Sequence, residues 1–196
     1  MRGPTTQKTQ QVLALLNYLY LLAIMVVIAG ILTAAMTLQY AKGELPCPLC
    51  LLQRVAMFGV CFGIIENFRR GFSYQNTGYS LLFTIFLLVV AVRQTLLDVY
   101  PRPGHEYIGS AVLGLHMPVW SIIIALCLLT AYAAKLAVLG GDEYLEEIPP
   151  NQFPLIGKLG DVASLYVIVI CAVNFVSVVL QCGLEECHTF GYRLLQ

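Results

Sequence analysis

The sequence predicts an all-α membrane protein: a four-helix transmembrane bundle joined by a fifth transmembrane helix, forming one domain over residues 1–196. Composition predicts it first, since 59% of the residues are apolar, only 11% are charged and the mean hydropathy is +0.78, too greasy for a soluble globule. Patterning predicts it next, because five apolar stretches approach the about 20 residues that a helix needs to cross a bilayer. Short polar connections marked by Gly and Pro separate them. With 11 basic and 11 acidic residues the formal charge is zero, which points away from nucleic acid and from a polybasic lipid-binding surface.

The first span, about residues 12–38, carries no charge. A cleavable leader is the competing reading, but the apolar core is too long and no small-x-small site precedes a soluble remainder. Gly43 and Pro46 mark a tight connection. The second span, about 48–66, starts at two thiols: Cys47 is placed to cap it and Pro48 suits a first helical turn. After Arg54 the uninterrupted apolar run covers only residues 55–65, so Gln53 and Arg54 must lie within the span. Residues 67–80, with Arg69, Arg70, Gly71 and Gly78, read as a loop. The third span, about 81–99, runs through Arg93 and Gln94. Pro118 and Trp120 open the fourth, about 118–139, as first-turn residue and interface anchor. An acidic loop with Asp142, Glu143, Glu146 and Glu147 leads to the fifth, about 161–181, where Asn174 and Ser177 are candidates for interhelical hydrogen bonds. A tail, 182–196, carries Cys182 and Cys187.

At about 1.5 Å per residue, Arg54 and Arg93 lie at similar depth, roughly 10 to 12 Å into one leaflet. Either arginine alone is accounted for by snorkelling to the headgroups; two Arg-Gln pairs beside a dithiol favour a polar pocket between helices. With the N-terminus inside, the inner segments hold Arg2, Lys8, Arg69, Arg70, Lys135 and Lys158, against Lys42, Arg102 and Arg193 outside, a positive-inside orientation. Five spans then place Cys47, Cys50, Cys182 and Cys187 together on the oxidising side. Cys61, Cys127 and Cys171 fall inside apolar runs, as small buried residues do.

Thiols at i and i+3 meet on one helical face and close an easily reduced disulfide, better suited to electron transfer than to stapling. At about 100° per residue Cys47, Cys50 and Arg54 fall on one face descending into the bilayer. The helix N-terminus favours a thiolate, which makes Cys47 the expected lower-pKa, more exposed sulfur. A quinone is the acceptor this arrangement suits: it dissolves in lipid, takes two electrons as a dithiol becomes a disulfide, and develops oxygen charge that an arginine stabilises. Half of a zinc site is the alternative for Cys-x-x-Cys, though Pro48 and the hydrophobic helix make a poor knuckle and no further metal ligands are assigned. Cys182 and Cys187 read as a relay pair, with a structural staple as the alternative.

The stretch Pro46-Cys47-Pro48-Leu49-Cys50-Leu51-Leu52-Gln53-Arg54 resembles the DsbB family of bacterial disulfide-bond formation proteins. So do Leu97-Asp98-Val99-Tyr100-Pro101-Arg102-Pro103 and Leu113-Gly114-Leu115-His116-Met117-Pro118-Val119-Trp120. The resemblance covers roughly residues 10 to 140. It implies a bundle in the bacterial inner membrane, N-terminus cytoplasmic and C-terminus periplasmic, that reoxidises a thioredoxin-fold DsbA-like partner and passes electrons to ubiquinone or menaquinone. By motif position Cys47 and Cys50 would be the quinone-facing pair, and Arg54, Gln53, Arg93 and Gln94 the quinone contacts. Family members of the usual form hold their second cysteine pair between the third and fourth helices, where this chain has no cysteine; Cys182 and Cys187 in the tail take that role here. A vitamin K epoxide reductase-like quinone reductase and a membrane metal-binding or transfer protein are the competing readings.

Overall fold

The computed structural model describes residues 4–43, 45–100, 113–140 and 144–183, without the side chains of 4–6 and 144. Six α-helices and one 3-10 turn follow in order: α1 Pro4–Lys42, α2 Pro48–Arg70, α3 Tyr74–Val99, α4 Met117–Leu139, the single-turn α5 Tyr144–Glu147, the 3-10 turn Pro150–Gln152, and α6 Pro154–Cys182. No β-strand occurs among the described residues. Five helices, α1 to α4 and α6, are long and apolar enough to cross a membrane, so the all-α expectation holds.

The helices outrun the apolar stretches because their ends are capped by polar groups rather than stopped by them. Gly71, at φ +95°, ends α2 in a conformation that L side chains rarely adopt. Two residues later Ser73 caps α3, its hydroxyl oxygen accepting the Gln75 N–H at 3.2 Å. The loop expected over 67–80 is therefore a turn of three residues, and residues 74–80 are helix. Pro154 is likewise absorbed into the first turn of α6.

α2 sits at the centre. Its spanning window is 61% buried, against 22 to 33% in the other four, because it packs on α1, α3 and α6 at once. α3 in turn packs on α4, and α1 on α6. Gly59 and Gly63, four residues apart, let α3 approach: a side chain at Gly63 would meet the Asn76 carbonyl and the Ser80 hydroxyl. Ser80 Oγ uses that proximity to donate to the Val60 carbonyl at 2.9 Å. At the opposite end from the thiols, Tyr18 accepts the Phe72 N–H at 3.2 Å and donates to the Ile148 carbonyl at 3.0 Å. Leu145 of α5 is buried there, so part of the acidic connection is tied into the bundle.

Candidate dithiol site

Cys47 is the N-cap of α2, with Sγ accepting the Cys50 N–H at 3.2 Å, and Pro48 occupies the first turn. A cap that carries sulfur instead of a hydroxyl puts its reactive atom where the helix amides converge. Cys50 lies one turn on, and both thiols are free and half-buried. Exposure therefore does not set Cys47 apart. The hydrogen bond with Cys50, and then burial, push the Cys47 thiol up from its ordinary value, opposite to the lowering expected at a helix N-terminus.

Beneath the sulfurs a chain of side-chain amides crosses three helices. Ser121 of α4 donates to Gln53 Oε1 at 2.7 Å, and Gln53 Nε2 donates to Gln94 Oε1 of α3 at 2.8 Å. Gln94 Nε2 is left facing Cys47 Sγ at 3.4 Å and Cys50 Sγ at 3.3 Å. Gln53 and Gln94 are both buried, so these bonds form away from competing water.

Arg54, 8% exposed, is held from another direction. Its Nη1 donates to Gln39 Oε1 at 2.6 Å and Asn174 Oδ1 at 3.0 Å and contacts Met36 Sδ at 3.2 Å, while Nη2 donates to the Ala35 carbonyl at 3.3 Å. Those partners belong to α1 and α6. A guanidinium so fixed cannot be snorkelling; it is a positioned charge inside the bundle.

Arg54, Gln53, Gln94, Cys47 and Cys50 line one cavity of about 140 Å³, walled by Ile31, Ala35 and Leu38 of α1 on one side and Met117 and Trp120 of α4 on the other. A dry cavity of roughly 150 Å³ holds a benzene ring, so this one is about the size of a single six-membered ring.

Of the residues singled out in the sequence, the cavity gathers Cys47, Cys50, Gln53, Arg54 and Gln94. It does not gather Arg93, which stands exposed on the outward face of α3. Adjacent helical residues point about 100° apart, so α3 can turn only one member of its Arg-Gln pair inward. Cys182 ends α6, buried and disulfide-bonded; Cys187 lies outside the described residues. Gln181 Nε2 donates to the carbonyl of Pro46 at 3.0 Å, so the residue before Cys182 touches the residue before Cys47. Sequence reasoning missed Gln39, Ser121 and Gln181. Gln39 falls just beyond the predicted first span but lies inside α1, and the polar residues interrupting otherwise apolar helix faces were the available signal.

A capped dithiol, an amide chain and a fixed guanidinium around a cavity between spanning helices define a multi-pass membrane protein with a dithiol site. The family model described as "Disulfide bond formation protein DsbB" matches residues 17–106. Disulfide bond formation protein B of Cupriavidus necator is 28% identical over 133 residues, covering 53% of this chain and 83% of the relative. Its namesake in Cupriavidus metallidurans is 27% identical over 146 residues, 60% of this chain and 91% of the relative. That of Nitrosomonas europaea is 36% identical over 85 residues, 41% of this chain and 52% of the relative, about half its length. No solved structure matches. Over residues 17–106 the chain is thus similar to the DsbB family, and five of its described helices are long and apolar enough to cross a membrane.

Proposed function

We propose that this protein is a membrane thiol oxidase that draws two electrons from the dithiol of a periplasmic, DsbA-like thioredoxin-fold oxidant and delivers them to ubiquinone or menaquinone. The observation that carries the reading is the Gln94 amide against both sulfurs in the cavity that Arg54 also lines. The donor set fits a quinone head group: Arg54 and the two amides are hydrogen-bond donors suited to carbonyl oxygens, and the cavity matches one ring in size. A quinone, when bound, supplies the acceptor for two electrons and two protons as the Cys47–Cys50 dithiol closes to a disulfide. Gln94 orients and partly neutralises the sulfurs, while Arg54 favours negative charge in the cavity.

On the incoming side, the partner's dithiol reduces the Cys182–Cys187 disulfide and leaves as a disulfide. The resulting dithiol reduces Cys47–Cys50 by a second exchange. Each exchange moves two electrons and keeps the number of disulfides constant. Support for this order comes from the bonded state of Cys182 and from the contact between Gln181 and Pro46. With five spans, Cys47, Cys50 and Cys182 fall on one face of the membrane, the periplasmic one when the N-terminus is cytoplasmic.

The deciding experiment measures quinone reduction by the purified protein in detergent with a reduced thioredoxin-fold dithiol partner. Cys50→Ser is expected to abolish it and Cys182→Ser to abolish it with the protein partner. Full activity in Cys50→Ser would overturn the assignment, and full activity in Cys182→Ser would overturn the relay.

A further inference from the structure

The family match ends at residue 106, and α6 lies wholly beyond it. Yet α6 turns a line of buried polar side chains toward the dithiol site: Asn174, Ser177 and Gln181, at i, i+3 and i+7. We propose that Asn174 and Gln181 are positioning residues for the dithiol reaction, so that α6 braces the site from behind Arg54 and Pro46 and is not an added anchor. The proposal rests on the quinone-reducing reading above and deepens it.

Three connections reach from α6 to the motif. Asn174 Oδ1 accepts from Arg54 Nη1 at 3.0 Å. Ser177 Oγ accepts from Gln39 Nε2 at 2.7 Å, which fixes the amide so that its Oε1 faces the same Nη1, 2.6 Å away. The Nη1 corner of Arg54 therefore sits between two oriented acceptors, one on α6 and one on α1 held by α6. The third connection, Gln181 Nε2 to the Pro46 carbonyl, fixes the backbone immediately before the Cys47 cap. Interhelical hydrogen bonds add little to the stability of membrane bundles, so stability is a weak reason for three of them to converge on one reactive motif. Placement of a charge and a sulfur is the stronger one: site geometry is sensitive to displacements well below the width of an atom.

The chemistry assigns the two residues different effects. Asn174 acts on Arg54, and through it on quinone binding. Gln181 acts on the approach to Cys47, and through it on the equilibrium between dithiol and disulfide.

The test uses the full-length protein in detergent with two readouts. Steady-state kinetics with a short-chain ubiquinone analogue and dithiothreitol as donor give KM and kcat. Equilibration in dithiothreitol redox buffers, followed by alkylation and mass spectrometry, gives the Cys47–Cys50 equilibrium constant without any quinone. Asn174→Ala is expected to raise the quinone KM about tenfold with kcat changed less than threefold, and the near-isosteric Asn174→Asp, which restores an acceptor, to bring KM back to within about threefold of wild type. Gln181→Leu is expected to shift the equilibrium constant at least fivefold. Ser164→Ala, buried on the same helix with its hydroxyl directed toward Met25, should move neither readout.

Unchanged KM in Asn174→Ala together with an unchanged equilibrium in Gln181→Leu overturns the proposal. So does an equal response of all variants, Ser164→Ala included, which would mark a merely structural role. A wild-type protein that reduces no quinone refutes the functional reading instead, while the equilibrium shift in Gln181→Leu still decides the role of α6 at the dithiol.

Discussion

Gln53 donates its side-chain amide to Gln94 Oε1 at 2.8 Å, and that bond decides which end of Gln94 meets the sulfurs of Cys47 and Cys50. Gln53 is itself oriented by Ser121, so α4 is connected to the thiols through two amides. A sulfur facing an N–H carries negative charge more easily than one facing a carbonyl oxygen.

Gln94→Glu should therefore be worse than Gln94→Leu. The leucine removes a donor to a charged group, worth about 1.5 to 3 kcal/mol or roughly a ten- to hundredfold loss in quinone reduction, whereas the glutamate adds a like charge as well. Stopped-flow reduction of a quinone analogue by the pre-reduced protein checks the ranking, and equal losses would remove the orientation argument.

Arg54 and Arg93 look equivalent in the sequence and should behave oppositely. Arg54→Lys keeps the charge but loses the planar guanidinium that serves Gln39 and Asn174 from Nη1 and the Ala35 carbonyl from Nη2, so the quinone KM should rise about tenfold. Arg93→Met, on an exposed face, should stay within about twofold. KM measured for both variants in one detergent separates a site arginine from a headgroup-facing one.

Gly63→Ala should destabilise the bundle by about 1 to 3 kcal/mol, since the new methyl would meet a backbone carbonyl that cannot rotate away. Gly78→Ala, with open space around it, should cost nothing measurable. Thermal unfolding in detergent distinguishes them.

Lys135 was counted as an inner-face charge, but its side chain is buried in α4, with Nζ 4.2 Å from the Phe72 ring centroid and 5.6 Å from that of Tyr20. Among the described residues Nζ has no hydrogen-bond partner. Cation–π contacts return about 0.5 to 2 kcal/mol, less than the several kcal/mol lost by taking an ammonium out of water. Lys135→Met, which keeps the stem, should raise the unfolding temperature by a few degrees; a fall would mean that the charge has a stabilising role.

The features legible in the sequence are those whose relation is local. Hydropathy over one span reports burial in lipid whatever the neighbours do, so five spanning helices were legible. Helical periodicity put Cys47, Cys50 and Arg54 on one face with no knowledge of the partners of α2. Helix ends were less legible, because Gly71 and Ser73 make a turn in three residues where hydropathy shows only a polar stretch.

What only the tertiary structure decided is which side of each helix meets another. Arg93 and Gln94 are adjacent and both polar, and nothing local says that α3 rotates the amide toward the thiols and the guanidinium away. Gln39, Ser121, Asn174 and Gln181 come from three helices, each bonded within the site to a residue 15 to 135 positions away. A helix specifies its own periodicity through bonds four residues apart; the rotation that aims a side chain at a distant one is set by packing the whole bundle.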